Sequence, residues 1–556
     1  MISLGINLGH DRGVAIVKDG ILIGAIAQER IDRIKHSPSI EVPYEAINEL
    51  LKYLNILFEE IRYIGISSTA VDSKNLINFY ADKLKEYYNC DNFELVAVPH
   101  HLSHALAAYH TSNFNNAVIL VADGGGETLG SMEESESIFI AEEMKIYTAE
   151  QRLQCGYMHP MSRPHNYLYP FINRELVTEP VSIGKKYEQI TQLIGFGKNG
   201  EGKTMGLAAY GKDIVEKPVI AAKNLNFELK FGDMITEIEA KTISENKSYF
   251  QYIKENSANI AFSMQKYAEN QVLEIIKYIK VKYHAKNICL AGGLFLNCPI
   301  NHRILEEISD ITLHICPATG DDGQAIGNAF AAFKRFNLPI KNSCSVLPYL
   351  GISYTDEQIT KALKKKNLKF DFLSDEQLSI AIAKEIYNNK IVAVCFGRSE
   401  VGPRALCHRS ILANPCWEGM KDYLNERVKH RERFRPFAPV VKADYQYKIF
   451  DLKQDSPYML FSAKVKEEYR SVIPSVTHVD GSARIQAVSR QNNKLMYSIL
   501  DEFEKISGVP VILNTSFNDN GEPIVETPED AIKTFLLTNI DVLILNNYIV
   551  YKDKQQ

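Results

Sequence analysis

Apolar residues along this chain recur with two different periods. Short runs that are wholly apolar or strictly alternating predict strands at Ile2–Leu8, Gly13–Lys18, Ile21–Ala27, Val118–Ala122, Asn287–Ala291 and Ile311–Ile315. Asp19-Gly20, between the second and third of these, is a hairpin turn signal. Helical spacing predicts helices over Tyr44–Leu54, Asn75–Tyr88, Tyr187–Gly197 and 258–284, and another beginning near Gln324. Gly200 to Gly211 reads as a glycine-punctuated turn. Residues 131–180, interrupted by Pro160, Pro164 and Pro170, read as an insertion or lid. Past a polar, proline-bearing stretch at 338–350, helical patterns alternate with strands at Lys390–Phe396, Val509–Leu513 and Asp541–Asn546. The whole is an α/β chain with a domain boundary near 345.

Several apolar runs end on residues that carry chemistry. His100 and His104 lie four apart in an Ala/Leu-rich helical stretch, so both imidazoles share one face and one cation could reach both. Ordinary surface or core histidines also occur at this spacing. The strand Val118–Ala122 then delivers Asp123 into Gly124-Gly125-Gly126. The same device recurs where Asn287–Ala291 enters Gly292-Gly293, with Asn297 following. It recurs again where Ile311–Ile315 leads to Gly320-Asp321-Asp322-Gly323. Asp321, just before a helix, also fits an N-cap. The turn at His10-Asp11 follows the first strand, a usual place for backbone amides to grip phosphate.

Composition narrows the classes. With 556 residues the chain has room for two or three domains, and 45% hydrophobic with 24% charged residues is ordinary for a soluble globular protein. A net charge of −5 argues against a general nucleic-acid binder. Nine cysteines without a Cys-x-x-Cys pair argue against zinc clusters and disulfide frameworks, and fit the reducing cytoplasm. No stretch reads as a signal peptide or membrane span. Against this acidic background, nine Lys/Arg fall between Arg398 and Arg435. Prolines and phenylalanines interleave them, which suits a shaped anion pocket better than a solvated helix face.

Taken in order, these motifs resemble the ATP-dependent O-carbamoyltransferases of nodulation-factor and antibiotic biosynthesis. The carrying residues run nearly end to end. They are Leu4-Gly5-Ile6 with His10-Asp11, then Gln28-Glu29-Arg30 with Arg33-Ile34-Lys35-His36, His100-x-x-x-His104, Asp123 to Glu127 and Glu201 to Leu207. Ala291-Gly292-Gly293 with Leu296-Asn297 and Gly320 to Gly323 follow. Gly397-Arg398, Gly402 to Leu406, Arg409 to Ala413, Phe434 to Pro439, His478 to Gln486, and Asn514 to Val525 complete the set.

The resemblance implies an actin/sugar-kinase-like domain over residues 1–345 and a YrdC-like α/β domain over 346–556. It implies that carbamoyl phosphate and ATP, the latter with Mg2+, form carbamoyl adenylate in the second domain. The carbamoyl group would then pass inside the protein to the first domain and on to a hydroxyl of a small-molecule acceptor. The anion pocket would be Arg404, Lys429, Arg435, Arg484, Asn514 and Ser516. His100, His104, Asp123 and Asp321 would hold one metal. The donor set suits iron(II), manganese, zinc or nickel, and the resemblance favours iron. Gly124, Gly292, Gly293 and Asn297 would lie against the nucleotide. Lys35 would contact it, or be a solvated loop lysine. His10 would be the general base for the acceptor hydroxyl, or would position the phosphate turn.

Two departures stand out. Arg12-Gly13 replaces the small residues usual after His10-Asp11, so Arg12 would bind an acidic acceptor group or face solvent. Cys407-His408 replaces glycine and a polar residue. Two other readings compete. One is (threonyl)carbamoyl transfer to a macromolecule such as tRNA, which the net charge and the second-domain motifs disfavour. The other is a nucleotide-dependent switch without catalysis, which would not need the Arg/Asn/Ser set. The acceptor and the oligomeric state are not encoded legibly.

Overall fold

The computed structural model describes residues 1–67, 73–129, 132–155, 182–214, 248–336, 338–341, 343 and 347–555. The first sheet orders its strands β3-β2-β1-β4-β5, with β1 (Ile2–Asn7), β2 (Gly13–Lys18), β3 (Ile21–Ala27), β4 (Ile61–Ser67) and β5 (Glu94–Ala97). The hairpins β1–β2 and β2–β3 are antiparallel, while β1, β4 and β5 run parallel. Every residue of β1 is buried, as its unbroken apolar run requires. Asp19 and Gly20 turn the second hairpin with φ of 50° and 81°.

The second sheet repeats this topology. β6 (Asn116–Ala122) takes the place of β1. β8 (Met132–Glu142) and β9 (Lys145–Cys155) add antiparallel on one side, and β10 (Asn287–Ala291) and β11 (Thr312–Ile315) add parallel on the other. The two-residue β7 (Thr128–Leu129) pairs with the end of β8. Two copies of one order, 3-2-1-4-5, make this half an actin/sugar-kinase-like α/β fold. Residues 132–155 are therefore core strands of the repeat, not an insertion or lid. The rest of that expected lid, 156–180, lies outside the described residues.

Each repeat sends its closing helix onto the other repeat's sheet. Helix His100–His110 packs on β6, β8 and β10, and helix Gln324–Arg335 packs on β1, β2 and β4. The two helices also pack on each other, and small residues permit the approach. A Cβ on Gly327 would meet the Ser103 carbonyl oxygen at 1.8 Å, and one on Gly5 would meet the Ala325 carbonyl oxygen at 1.9 Å.

The C-terminal half is one mixed ten-stranded sheet. Its strands are β12 (Asp371–Phe372), β13 (Val392–Cys395), β14 (Arg409–Ala413), β15 (Ala438–Lys442), β16 (Phe450–Asp451), β17 (Phe461–Val465), β18 (Ser482–Val488), β19 (Val511–Ser516), β20 (Val542–Leu545) and β21 (Tyr548–Tyr551). The order is β12-β21-β20-β13-β14-β19-β15-β18-β17-β16. Its apolar core is continuous with that of the second sheet. Buried Asn301 stitches the two by donating to the carbonyls of Phe295 and Leu460, each at 2.8 Å.

Two local expectations change. The glycine-punctuated stretch after Gly200 forms a helix, Glu201–Ala208, and the preceding helix is Ile183–Leu193, earlier than its apolar pattern suggested. A Cβ on Gly202 would meet nothing, so that glycine does not break the helix. No described helix is long and apolar enough to cross a membrane.

Replacing Gly327 with Ala forces the crossing helices apart and is expected to lower the unfolding free energy by about 1–3 kcal/mol in a urea titration. Gly202→Ala in the same assay is expected to cost nothing, since no neighbour occupies the space.

Candidate functional site

His100 and His104 project from the first turns of their helix toward the ends of β6 and β11. His100 Nε2 lies 3.2 Å from Asp123 Oδ2 and 3.5 Å from Asp321 Oδ1. His104 Nε2 lies 3.3 Å and 3.2 Å from the same two oxygens. One ligand atom from each of the four residues falls within 4.8 Å of the others. Two imidazoles and two carboxylates at this spacing fit a single divalent cation. The neighbouring His101 turns away to Ser137 Oγ at 2.7 Å, and burial holds its pKa well below the ordinary value.

The glycines of the turns aim Asp123. The amides of Gly124 and Gly293 donate to Asp123 Oδ1 at 2.9 Å and 3.1 Å. Gly292 has φ of 99°, and a Cβ there would meet the Ala122 carbonyl at 2.2 Å. Burial opposes ionisation of Asp123, but hydrogen bonds from His100 and His104 keep its pKa well below the carboxylate range. Burial likewise opposes charge on His104, and hydrogen bonds to Asp123 and Asp321 overcome it and lift its pKa to about 9. Asp321 does not cap the following helix with its side chain, so it is free to face the cluster.

Gln324 was not singled out in the sequence, yet it holds the cluster together. Its Nε2 donates to Asp321 Oδ1 at 3.0 Å and lies 3.3 Å from His104 Nε2. Its carbonyl is fixed by Ser67 Oγ at 2.8 Å and Ser103 Oγ at 3.0 Å. A glutamine at the start of a helix carries no sequence signal for this role.

One cavity of about 1420 Å3 runs from this cluster into the C-terminal half. Its walls include His10, Lys35, Asp123, Gly124, Gly293, Asn297 and Asp321 from the first half. From the second half they include Arg404, Lys429, Arg435, Arg484, Asn514 and Ser516. The structure thus brings nearly all the expected site residues to one space. His100 and His104 sit behind the carboxylates, and Gly292 is not a wall residue.

His10 Nδ1 is 2.6 Å from Asp11 Oδ2, and His36 Nδ1 is 2.6 Å from Asp11 Oδ1. The hydrogen bond to Asp11 outweighs burial and raises the His10 pKa to about 9. His10 Nε2 is buried and has no hydrogen-bond partner. Two amides of the turn are already spent, because Gly9 donates to the Ser39 carbonyl and Asp11 to that of His36. The Arg12 side chain is largely buried rather than facing solvent. It is pinned to the Ser37 and Glu41 carbonyls at 2.8 Å and 3.0 Å and to Ser37 Oγ. Lys35 pairs with Glu29 at 3.1 Å while lining the cavity. Asn297 is engaged structurally, capping the helix Cys298–Glu307 and exchanging two hydrogen bonds with Gln265.

The basic run splits by role, and Lys421, Arg427 and Arg433 lie off the cavity walls. Arg398 and Arg409 are spent on backbone carbonyls, and Arg409 is fully buried near Glu526. Arg404, Lys429, Arg431, Arg435 and Arg484 face the cavity. Burial lowers the pKa of each, and repulsion among neighbouring cations adds to this for Arg404, Lys429, Arg431 and Arg435. Arg404 falls to about 9. Arg404 Nε, Arg484 Nε and Asn514 Oδ1 are buried without partners. A site of this kind gains from binding a polyanion, which relieves both repulsion and lost hydrogen bonds. Cys407 has φ of 83°, which explains the glycine usual at this place in the pattern.

Comparison with known proteins agrees with this arrangement. The family model "Carbamoyltransferase N-terminus" matches residues 69–330, and "Carbamoyltransferase C-terminus" matches 383–552. An uncharacterized Synechocystis protein is 32% identical over 98% of this chain and 96% of its own length. The nodulation protein NolNO of Sinorhizobium fredii is 29% identical over 98% of this chain and 79% of its own. Among solved structures, HypF of T. kodakarensis aligns with a TM-score of 0.41 and 13% identity, over 61% of this chain and 48% of that one. The two family models, matching in order over most of the chain, define a carbamoyl-transferring enzyme. This chain belongs to the carbamoyltransferase family.

The cluster geometry predicts that His104→Ala protein purifies with little bound divalent metal, read by elemental analysis, whereas Arg435→Ala protein keeps the wild-type content.

Proposed function

We propose that this protein is an ATP-dependent O-carbamoyltransferase whose two half-reactions share the one cavity. The observation that supports this most is the position of the five-cation pocket and the two carboxylates of the His/Asp cluster on the walls of the same space. In the C-terminal half, Arg404, Lys429, Arg435 and Arg484 neutralise carbamoyl phosphate and the triphosphate, with Asn514 and Ser516 as polar partners. Water cleaves carbamoyl phosphate to carbamate and inorganic phosphate, a carbamate oxygen then attacks the α-phosphorus of ATP, and pyrophosphate leaves. The product, carbamoyl adenylate, is hydrolysed by bulk water, so an enclosed route between the halves protects it.

In the N-terminal half, the acceptor hydroxyl attacks the carbamoyl carbon and AMP leaves. A divalent cation held by His100, His104, Asp123 and Asp321 would supply charge stabilisation for the phosphoryl leaving group. Gly293 and Gly124 aim Asp123, Gln324 braces Asp321, and Lys35 lies within the cavity for the nucleotide. His10 Nε2 is the group that takes the hydroxyl proton, with Asp11 orienting the ring from the Nδ1 side. The raised pKa favours a second role as well, because below about 9 the resting ring is an imidazolium suited to an incoming phosphate. Mg2+ accompanies ATP, and the acceptor is a small hydroxyl compound.

Two experiments test this reading. His104→Ala is expected to lower carbamoyl transfer by at least roughly a hundredfold while pyrophosphate release continues; loss of both activities together contradicts separate sites. For His10 the sign follows from its pKa. The base form grows as pH rises toward about 9, so the rate of transfer should climb to that point and level off. Asp11→Asn removes the hydrogen bond that raises the pKa, so the inflection should move down toward the ordinary 6.5. A rate that falls on approaching pH 9 contradicts the base role and leaves the imidazolium role.

A further inference from the structure

His36 has no part in the reaction as set out above, yet it shares Asp11 with His10. Asp11 Oδ2 lies 2.6 Å from His10 Nδ1, and Asp11 Oδ1 lies 2.6 Å from His36 Nδ1. The two rings stack, with centroids 5.0 Å apart and planes 22° from parallel. All three residues line the cavity. Burial opposes the charge on Asp11, and hydrogen bonds from His10 and His36 overcome it and hold its pKa at about 2. An ionised carboxylate only accepts, so each Nδ1 carries its hydrogen. The neutral His10 ring then has its lone pair on Nε2, the atom without a protein partner.

The backbone around His36 is built to hold it there. After the helix Gln28–Asp32 the chain takes left-handed φ of 62° at Arg33, 62° at His36 and 35° at Ser37. Side chains other than glycine adopt that conformation where surrounding contacts enforce it. The His36 amide donates to Glu29 Oε2 at 2.7 Å, and its carbonyl accepts from the Asp11 amide at 3.0 Å. Arg33 fastens the same loop to the C-terminal half, donating to the carbonyls of Ile524 and Pro523 at 2.7 Å and 2.9 Å.

Other charged groups face the pair without replacing it. Asp321 adds to the rise of the His10 pKa and Lys198 opposes it. Glu201 lies in the field of both rings, and Lys35 is taken up by Glu29. Among the described residues no third side chain bonds to the Asp11 carboxylate. Without His36, Oδ1 would be open to water and the carboxylate free to turn from His10.

We propose that His36 is the positioning residue of the transfer base: by filling one oxygen of Asp11 it fixes the other on His10 Nδ1, and so presents His10 Nε2 as the acceptor of the hydroxyl proton. The proposal rests on the reading of His10 as that base. As the acceptor oxygen bonds to the carbamoyl carbon and the bond to AMP breaks, the hydroxyl proton goes to His10 Nε2. His36 keeps its own proton, and Asp11 stays ionised.

The test needs no acceptor. The full chain, its histidines labelled with nitrogen-15, would be titrated by NMR from neutral to alkaline pH, with His10→Ala identifying the His10 signals. In wild type the midpoint is expected at about 9, with the Nδ1–H tautomer above it. Asp11→Asn should lower the midpoint toward 6.5. His36→Ala should move it the same way and bring in the Nε2–H tautomer. His36→Asn, whose amide can donate from near the place of Nδ1, should restore both. Thermal unfolding would be recorded for each variant, and the restoration by His36→Asn separates positioning from a loosened loop. If His36→Ala keeps the wild-type midpoint and tautomer while Asp11→Asn shifts them, the proposal falls alone. If wild-type His10 titrates near 6.5 and Asp11→Asn does not move it, the reading of His10 falls as well. One donor atom from each of His10, Asp11 and His36 also lies within 4.8 Å of the others. Elemental analysis showing less divalent metal in His36→Ala than in wild type would make the trio a cation site and overturn the proposal.

Discussion

Everything at the His/Asp end of the cavity depends on how closely two helices cross. His100 and His104 belong to one, and Asp321 with Gln324 stands at the head of the other. The gap between Gly327 and the Ser103 carbonyl leaves no room for a single methyl group. Because each helix lies on the sheet of the opposite repeat, the crossing also locks the two repeats together. A shift of one helix would separate the imidazoles from Asp321 and release the Ser67 and Ser103 hydrogen bonds that hold Gln324. Close-packed interiors transmit such shifts rather than absorb them.

The other end of the cavity depends on charge. Several cations are held in a half-buried space by carbonyls, an asparagine and an aromatic ring, with few acids to neutralise them. Such an arrangement costs folding energy and is retained where a polyanion binds. The loop that carries Arg404 rests directly on the first half. A Cβ on Gly402, whose φ is 90°, would meet the Pro317 carbonyl at 2.2 Å, and Arg404 itself donates to the Leu296 carbonyl at 3.2 Å. The cationic pocket therefore abuts the loop that leads to Asp321, and both line the same cavity.

Much of this was legible in the sequence. The strands before Asp123, Gly292 and Asp321 follow their apolar runs, because a fully buried strand leaves no alternative pattern. The histidine spacing suggested a shared cation, and the family resemblance supplied Asp123 and Asp321 as its partners. The duplication of the sheet was not legible, since two repeats can share a topology without sharing residues. Residues 132–155 misled because polar positions such as Glu134, Glu136 and Arg152 are buried there in mutual pairs, which hides a core strand. Gln324 escaped because the partners that fix its carbonyl, Ser67 and Ser103, are more than two hundred residues away in sequence. The internal partners of Arg12 were equally hidden, since its four hydrogen bonds go to residues 25 or more positions away or to Asp32.

The central claim is that the C-terminal pocket activates the carbamoyl group before any acceptor is engaged. Pyrophosphate release from ATP, measured with carbamoyl phosphate present, a divalent metal supplied and no acceptor, tests it most directly. The account predicts release that depends on carbamoyl phosphate. ATP that binds without releasing pyrophosphate under these conditions would contradict it.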